Sequence, residues 1–182
     1  MQKAMKIAIV DDEQDMRQSI SQWLALSGYD TETFPSAEEA LKTLGPDYPG
    51  IVISDIKMPG MDGMTFLKKL MGTDSSLPVI MITGHGDVPM AVEAMRLGAF
   101  DFLEKPFRQS HLVERIEAAL KIASSRRIAT DTKEAVRARF ARLTERETEI
   151  VEHVLANPAE ASSKEIGGAL GISPRTVDHH RA

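Results

Sequence analysis

Short apolar runs alternate along the chain with stretches in which apolar residues recur every three or four positions. The runs predict five strands, at 6–10, 30–34, 51–53, 79–82 and 100–103. The spacing of Met16, Ile20 and Leu24 is typical of the buried face of a helix, and further helical stretches separate the later runs. Strands this short, alternating with helices of about three turns, predict a doubly wound α/β fold around a parallel sheet.

Polar residues stand where four of the predicted strands end. Asp11 and Asp12 follow the first run and Asp55 follows the third. Thr83 follows the fourth run and Lys105 the fifth. The carboxyl ends of parallel strands meet at one edge of a sheet, which is where open α/β sheets bind their ligands. The sequence therefore predicts that three carboxylates, one hydroxyl and one amine lie close together at that edge.

Carboxylates grouped without His or Cys favour a hard, oxygen-binding cation such as Mg²⁺. A lone carboxylate is a poor nucleophile toward a phosphoryl group because both are anionic, and a divalent cation with positioned donors offsets that repulsion. The predicted cluster is therefore suited to phosphoryl transfer. A simpler interpretation stays open from these residues alone, because a single Asp at a strand end is often a helix cap. Asp11 or Asp12 would then cap the helix that begins near Gln14.

The order of acid pair, acid, Thr and Lys resembles the receiver domain of two-component response regulators, and the resemblance covers residues 5 to about 123. It implies a five-stranded parallel sheet in the order 2-1-3-4-5, as in CheY and flavodoxin. It also implies that Asp55 is the phosphoacceptor. A sensor histidine kinase would supply the phosphoryl group.

The same resemblance assigns roles to further residues. The residues implied to hold Mg²⁺ are Asp11, Asp12, Asp55 and, through its backbone carbonyl, Lys57. Lys105 would pair with one phosphoryl oxygen, and the Thr83 hydroxyl would donate to another. Phe102 occupies the position of the family's aromatic switch, although a Phe on a short strand is also an ordinary core residue.

Residues 83–102 read T-G-H-G-D-V-P-M-A-V-E-A-M-R-L-G-A-F-D-F and resemble the FixJ-type subgroup of receivers. Phosphorylation in this subgroup drives dimerisation through the fourth helix and the fifth strand. By that resemblance Val92, Arg96 and Asp101 would lie at a homodimer interface, the last two as a reciprocal charge pair. The alternative for Arg96 and Asp101 is an exposed pair worth under about 1 kcal/mol. His85 is interpreted as a solvated loop residue between two glycines.

The segment 124–142 has six Lys or Arg against two acids and few apolar residues, so we predict a linker. Whether this linker is helical is left open. Farther on, Thr144 and Glu147 predict a capping box at the start of a helix. Ser163 is predicted to cap the next helix, and Pro174 to begin a third. Two short helices joined by the turn G-I-S predict a helix-turn-helix.

The wording from residue 143 onward resembles the LuxR/NarL-type DNA-binding domain, with L-T-x-R-E, K-E-I and S-x-R-T-V-x-x-H-R. The residues that would approach DNA are Arg175, Thr176, Asp178, His179 and Arg181. We expect this domain, 143–182, to be incomplete at its C-terminus, because the chain stops inside the recognition helix. The region has four Lys or Arg against seven acids, which provides little of the attraction that dominates DNA affinity.

Composition sets the remaining bounds. The 182 residues suffice for a receiver domain at 1–123 and a small second domain. The absence of cysteine excludes disulfides and thiolate metal sites. Residues 1–124 carry a net charge of −6 and residues 125–182 one of +1, so the front half favours a cation and a kinase as partners. No long apolar segment precedes the first strand, which leads us to expect a cytoplasmic protein without a membrane span.

We therefore interpret the sequence as a FixJ/NarL-type response regulator, phosphorylated on Asp55 to control dimerisation, DNA binding and transcription. It would be a phosphoacceptor rather than an enzyme, with at most weak autodephosphorylation. Promoter DNA and RNA polymerase are the partners expected of the full-length form. The alternative is a phosphorelay intermediate, or a short regulator that does not bind DNA in this truncated form.

Two other classes fit less well. A phosphatase of the haloacid-dehalogenase type needs a second acid two residues after its nucleophile, and Lys57 stands there. A flavodoxin-like carrier would need phosphate-binding donors in the first loop, whereas D-D-E-Q-D repels a phosphate.

Overall fold

The computed structural model describes residues 5–73, 76–84, 88–158 and 162–181, apart from the side chains of 139, 140, 180 and 181. The interpretation of His85 as a solvated loop residue lies outside the described residues. The chain divides into two compact units, Met1–Ile128 and Ala129–Ala182. Within the described ranges, no helix is both long enough and apolar enough to cross a bilayer.

The first unit is built on a parallel sheet. Its strands are β1 (Lys6–Val10), β2 (Asp30–Phe34), β3 (Gly50–Asp55), β4 (Val79–Thr83) and β5 (Asp101–Glu104). Its helices are α1 (Gln14–Leu26), α2 (Ala37–Thr43), α3 (Gly63–Gly72), α4 (Val88–Leu97) and the part of α5 (Gln109–Phe140) that precedes Ala129. The strand order β2-β1-β3-β4-β5 confirms the predicted doubly wound fold.

The strands deliver alternate side chains to two apolar layers. Ile7 and Ile9 of β1 pack in the layer shared with α1 and α5. Ala8 and Val10 pack in the layer shared with α2, α3 and α4. Helices cover both faces of the central strands and bury every residue of β1, β3 and β4 except Lys6, which is consistent with their continuous apolar runs.

The fifth strand begins one residue later than predicted. Phe100 donates its backbone N–H to the Val79 carbonyl, N to O 2.8 Å, but the paired ladder with β4 starts at Asp101 opposite Ile80. Strand ends commonly shift by a residue in this way. The shift leaves Lys105 directly after the strand, as the pattern predicted.

The second unit contains three short helices that follow the end of α5. They are α6 (Glu145–Ala156), α7 (Ser163–Leu170) and α8 (Pro174–Arg181). They pack around Ile150, Ile166 and Val177. An added Cβ at Gly167 of α7 would stand 2.7 Å from the Ile172 carbonyl oxygen, which shows how closely the α7–α8 turn approaches α7.

Two capping boxes begin helices of this unit. Thr144 and Glu147 form the box predicted for α6. The prediction that Ser163 caps α7 is wrong, because Ser162 is the N-cap and forms a box with Glu165. In a capping box the acid stands three positions after the cap, and only Ser162 stands at that distance from Glu165.

The helix α5 extends through most of the segment 124–142. It continues without interruption to Phe140, and its side chains at 128–138 are all exposed. A helix that is exposed on every side makes no core of its own, which is consistent with the mostly polar composition of this segment.

We expect Gly50→Ala to lower the free energy of unfolding by about 2–3 kcal/mol. Gly50 pairs with Lys6 between β3 and β1, and an added Cβ would stand 1.8 Å from the Lys6 carbonyl oxygen. Urea unfolding followed by circular dichroism measures the loss. Gly72→Ala is the matched control, since no heavy atom lies within 4 Å of its added Cβ. A loss below about 1 kcal/mol in Gly50→Ala would contradict the close approach of the two strands.

Candidate functional site

The ends of four strands bring the predicted polar residues to one edge of the sheet. Asp11 follows β1, Asp55 ends β3 and Thr83 ends β4. All three are buried, with 3%, 7% and 0% of their surface exposed. Lys105 follows β5, and its backbone N–H donates to the Thr83 carbonyl, N to O 2.7 Å. The parallel sheet thus gathers residues that are up to 94 positions apart in sequence.

The side chain of Lys105 bridges two carboxylates. Its Nζ lies 3.3 Å from Oδ2 of Asp11 and 3.3 Å from Oδ1 of Asp55. The lysine side chain is 17% exposed, and those of Asp11 and Asp55 are 5% and 9% exposed. Charge pairing is stronger in such a partly dehydrated place than at an open surface. The contact therefore fixes the amine directly beside the predicted phosphoacceptor.

Three carboxylates converge at this edge. Asp11, Asp12 and Asp55 each offer an oxygen within 4.8 Å of the others. Asp12 is exposed, whereas its two neighbours in the cluster are buried. This set consists of oxygen donors only, which suits a hard cation such as Mg²⁺ and not a soft one. The residues present therefore fit the group that the sequence predicted.

The alternative role of Asp11 and Asp12 as helix caps is not what the structure shows. The N-cap of α1 is Glu13, whose side chain makes no capping hydrogen bond. Asp11 instead accepts the backbone N–H of Glu13 on Oδ1 at 2.9 Å, while its Oδ2 faces Lys105. Both oxygens of Asp11 therefore have partners within the first loop and the site.

Burial and neighbouring charges set the ionisation of the site. Burial raises the pKa of Asp55, and the Asp11 carboxylate raises it further, while the Lys105 cation opposes both. The net effect is a pKa above the ordinary value for Asp. Burial pulls the pKa of Lys105 down, but Asp11 and Asp55 together outweigh it and raise that pKa. Lys105 is therefore a permanent cation beside a carboxylate that burial makes more basic.

The loop that follows β3 is held by a hydrogen bond from its backbone to α2. Glu38 of α2 accepts the backbone N–H of Met61 on Oε1 at 2.9 Å. Gly63 approaches the strand so closely that an added Cβ would stand 2.2 Å from the Asp55 carbonyl oxygen. Lys57, implied to offer its carbonyl to the cation, is exposed in this loop. These contacts fix the loop that follows Asp55, the predicted phosphoacceptor.

Sequence reasoning missed two residues that support the site. Glu38 was not assigned a role there, because the helix dipole already accounts for an acidic residue in the first turn of α2. Arg17 of α1 donates from Nη1 to the carbonyls of Asp11 and Asp12, at 2.6 and 2.9 Å. No sequence signal distinguishes either residue from an ordinary surface charge.

Phe102 is partly buried and packs against the apolar layer of α2, α3 and α4. This packing fits the core interpretation of the residue, and its switch role stays a prediction. Its backbone N–H donates to Oδ1 of Asp101 at 2.7 Å.

The predicted dimer residues lie on α4 and β5. Val92 is 44% exposed and lies with Met95 and Arg96 along an apolar surface of α4. Oδ2 of Asp101 lies 2.6 Å from Nε of Arg115, within the same chain. A reciprocal pair between Arg96 and Asp101 in a dimer would therefore have to displace or share the Arg115 contact.

The residues predicted near DNA differ in their surroundings. Arg175 and His179 are exposed on α8. The Thr176 backbone N–H donates to Ser173 Oγ at 3.1 Å, so Ser173 caps the start of α8. Asp178 accepts a hydrogen bond from the hydroxyl of Ser163, so its carboxylate is tied to α7. The side chain of Arg181 lies outside the described part of the chain.

Similarity to known proteins extends over most of the chain. Residues 7–117 match the response regulator receiver domain family. The transcriptional regulatory protein FixJ of Bradyrhizobium diazoefficiens is 40% identical over 97% of this chain and 84% of its own length. FixJ of Rhizobium meliloti is 41% identical over 97% of this chain and 85% of its own length. The solved structure of the response regulator StyR superposes with a TM-score of 0.85 at 34% identity, covering 98% of this chain and 89% of that one. These matches confirm the resemblance proposed from the motifs.

We expect Asp55→Asn to raise the free energy of unfolding at pH 7 in the absence of divalent cations. Because the pKa of Asp55 is raised in the folded protein, its ionised form destabilises the fold above that pKa. The difference between variant and wild type should shrink as the pH falls through the raised pKa toward the ordinary one. Urea unfolding between pH 4 and pH 7 measures it.

The exposed Asp47 provides the control. Asp47→Asn should change the unfolding free energy by under about 0.5 kcal/mol at each pH. An Asp55→Asn variant that is no more stable at pH 7, or whose advantage grows on acidification, would show that the Asp55 carboxylate is not destabilised by its surroundings.

Proposed function

The chain belongs to the response regulator receiver domain family, and from that premise we propose that a sensor histidine kinase phosphorylates Asp55 to control transcription. The observation that carries this proposal is the position of Lys105. Its amine lies 3.3 Å from both Asp55 and Asp11 at the carboxyl edge of the sheet. A cation held beside a buried carboxylate is what a phosphoryl group needs on arrival at that carboxylate.

The transfer can be written from the residues of this chain. One oxygen of Asp55 attacks phosphorus, the bond between phosphorus and the kinase histidine nitrogen breaks, and the nitrogen keeps the electron pair. Asp55 must be ionised to attack, and the Lys105 cation favours that ionised form against the effect of burial. Lys105 is also near enough to pair with the phosphoryl oxygens, which carry the transferred charge.

Asp11, Asp12 and Asp55 would hold Mg²⁺ through their carboxylates, together with the backbone carbonyl of Lys57. When bound, Mg²⁺ would screen the repulsion between the Asp55 carboxylate and the incoming phosphoryl group. Asp11 is already oriented by the Glu13 N–H and by Lys105. The exposed position of Asp12 leaves one side of the cluster open to solvent, which provides an entry for the cation.

After transfer, the negative charge at position 55 increases, and Lys105 is drawn from Asp11 toward the phosphoryl oxygens. The buried Thr83, at the end of the neighbouring strand, would donate its hydroxyl to another of them. We propose that this rearrangement changes the surface formed by α4 and β5, where Val92, Arg96 and Asp101 lie, through the ring of Phe102. Two copies would then associate through that surface.

The second unit would carry the output. Its α7 and α8 are joined by a short turn, as in a helix-turn-helix, and Arg175 and His179 are exposed on α8, where they would approach phosphates or bases. The FixJ relatives are transcriptional regulators by name. We therefore propose promoter DNA and RNA polymerase as partners of the full-length protein, acting in the cytoplasm. The protein would be a phosphoacceptor with at most weak autodephosphorylation, and not an enzyme.

We expect Asp55→Asn to abolish phosphorylation. Acetyl phosphate with Mg²⁺ serves as a small donor, and intact-mass spectrometry detects the added phosphoryl group on the wild type. The amide cannot form an acyl phosphate without losing its nitrogen, so the variant should show only background. Asp47→Asn, exposed and outside the acidic cluster, should be labelled like the wild type. Equal labelling of the Asp55→Asn variant would assign the phosphoacceptor to another residue.

We expect Val92→Asp to prevent dimerisation. Light scattering of the wild type should give the mass of a monomer alone and of a dimer with Mg²⁺ and beryllium fluoride, a phosphoryl mimic. A carboxylate in the apolar contact would keep the variant monomeric in both conditions. Leu26→Asp is the matched control, because Leu26 is 89% exposed on α1. If Val92→Asp dimerises as strongly as the wild type, α4 is not part of the dimer interface.

A further inference from the structure

The guanidinium of Arg17 holds the backbone of the two adjacent acids in the first loop. Arg17 lies in the first turns of α1 and is partly buried. Its Nη1 donates to the carbonyl oxygen of Asp11 at 2.6 Å and to that of Asp12 at 2.9 Å. These two residues supply two of the three carboxylates in the acidic cluster.

One donor that serves two consecutive carbonyls requires a particular backbone shape. In an extended strand, successive carbonyls point to opposite sides of the chain. The carbonyls of Asp11 and Asp12 instead converge on one nitrogen, so the chain turns where β1 ends. The side chains of the two acids leave this turn toward the cluster.

Asp12 depends on this contact more than Asp11 does. The Asp11 carboxylate is held by the Glu13 N–H and by Lys105, and its backbone N–H donates to the Phe34 carbonyl at 3.2 Å. Asp12 is exposed, and among the described residues no hydrogen bond holds its carboxylate. The bond from Arg17 to its carbonyl therefore restricts where the Asp12 side chain begins.

We propose that Arg17 is a positioning residue that orients Asp11 and Asp12 to bind a divalent cation. This inference rests on the proposed Mg²⁺-dependent phosphorylation. Arg17 does not touch the reacting atoms. Groups that orient metal ligands typically change metal affinity by about 10- to 100-fold when they are removed.

The sign of the effect separates positioning from simple electrostatics. Arg17 is a cation near a cation site, so its charge alone repels a divalent metal. Removal of the charge alone would strengthen metal binding. Removal of a positioning contact would weaken it, because the exposed Asp12 would then have to be ordered at the moment of binding. A role in stability alone would change the unfolding free energy and leave the metal affinity unchanged.

The test is the affinity of the full chain for Mn²⁺, measured from the electron paramagnetic resonance signal of the free ion. The variants are Arg17→Met, which keeps the apolar stem and removes every donor, and Arg17→Gln, which provides a second replacement should the first fold poorly. Lys68→Gln is the matched loss of charge, on the exposed side of α3. Urea unfolding of each variant without metal serves as a control that the variant is folded when its metal affinity is measured.

We expect the dissociation constant for Mn²⁺ to rise about tenfold in both Arg17 variants and to stay within about twofold of the wild type in Lys68→Gln. In both Arg17 variants, the Mg²⁺ concentration that gives half of the maximal rate of labelling by acetyl phosphate should also rise about tenfold. At saturating Mg²⁺ the labelling rate should return to within about twofold of the wild-type rate. Arg17 variants that bind Mn²⁺ as tightly as the wild type, or more tightly, would overturn the inference. A wild type that binds no Mn²⁺ would instead overturn the metal site in the proposed function.

Discussion

Repulsion among three carboxylates at one edge of the sheet is the constraint on which the rest of this structure depends. Oxygens of Asp11, Asp12 and Asp55 lie within 4.8 Å of one another, and two of these residues are buried. Like charges at that separation oppose folding, the more so where water is excluded. Lys105 offsets part of the repulsion through contacts to Asp11 and Asp55. The same unfavourable arrangement would favour the binding of a divalent cation and of a phosphoryl group, as we propose for this site.

Such an arrangement persists only because a rigid scaffold holds it. The strands β1, β3 and β4 are packed on both faces by apolar layers, so their ends cannot move apart without opening the core. The loops that leave these ends are fixed one by one from neighbouring helices. Arg17 holds the loop after β1 and Glu38 holds the loop after β3. In the proposed function, a change of charge at Asp55 would therefore act on the surrounding contacts, with little movement of the sheet.

The two units are stabilised in different ways. The first buries two extensive apolar layers, whereas the second packs around Ile150, Ile166 and Val177. With so small a core, local contributions matter more, and both α6 and α7 begin with a complete capping box. Each such cap contributes about 1 kcal/mol, which is a large share of the stability of a unit this size.

The sequence alone determined the alternation of strands and helices and the group of polar residues at the sheet edge, because both follow from local patterns. Continuous apolar runs and apolar residues of helical period reveal which elements are buried, and polar side chains at the ends of parallel strands must meet. The prediction of Ser163 as the cap of α7 was wrong although a local signal was present, because Ser162 and not Ser163 stands three positions before Glu165. Only the tertiary structure decided which surface charges meet. Arg17 bonds to the carbonyls of Asp11 and Asp12, Glu38 to the backbone of Met61, and Asp101 pairs with Arg115. Any of these side chains has many possible partners in the sequence, and the choice depends on distances that exist only once the sheet and its helices have packed.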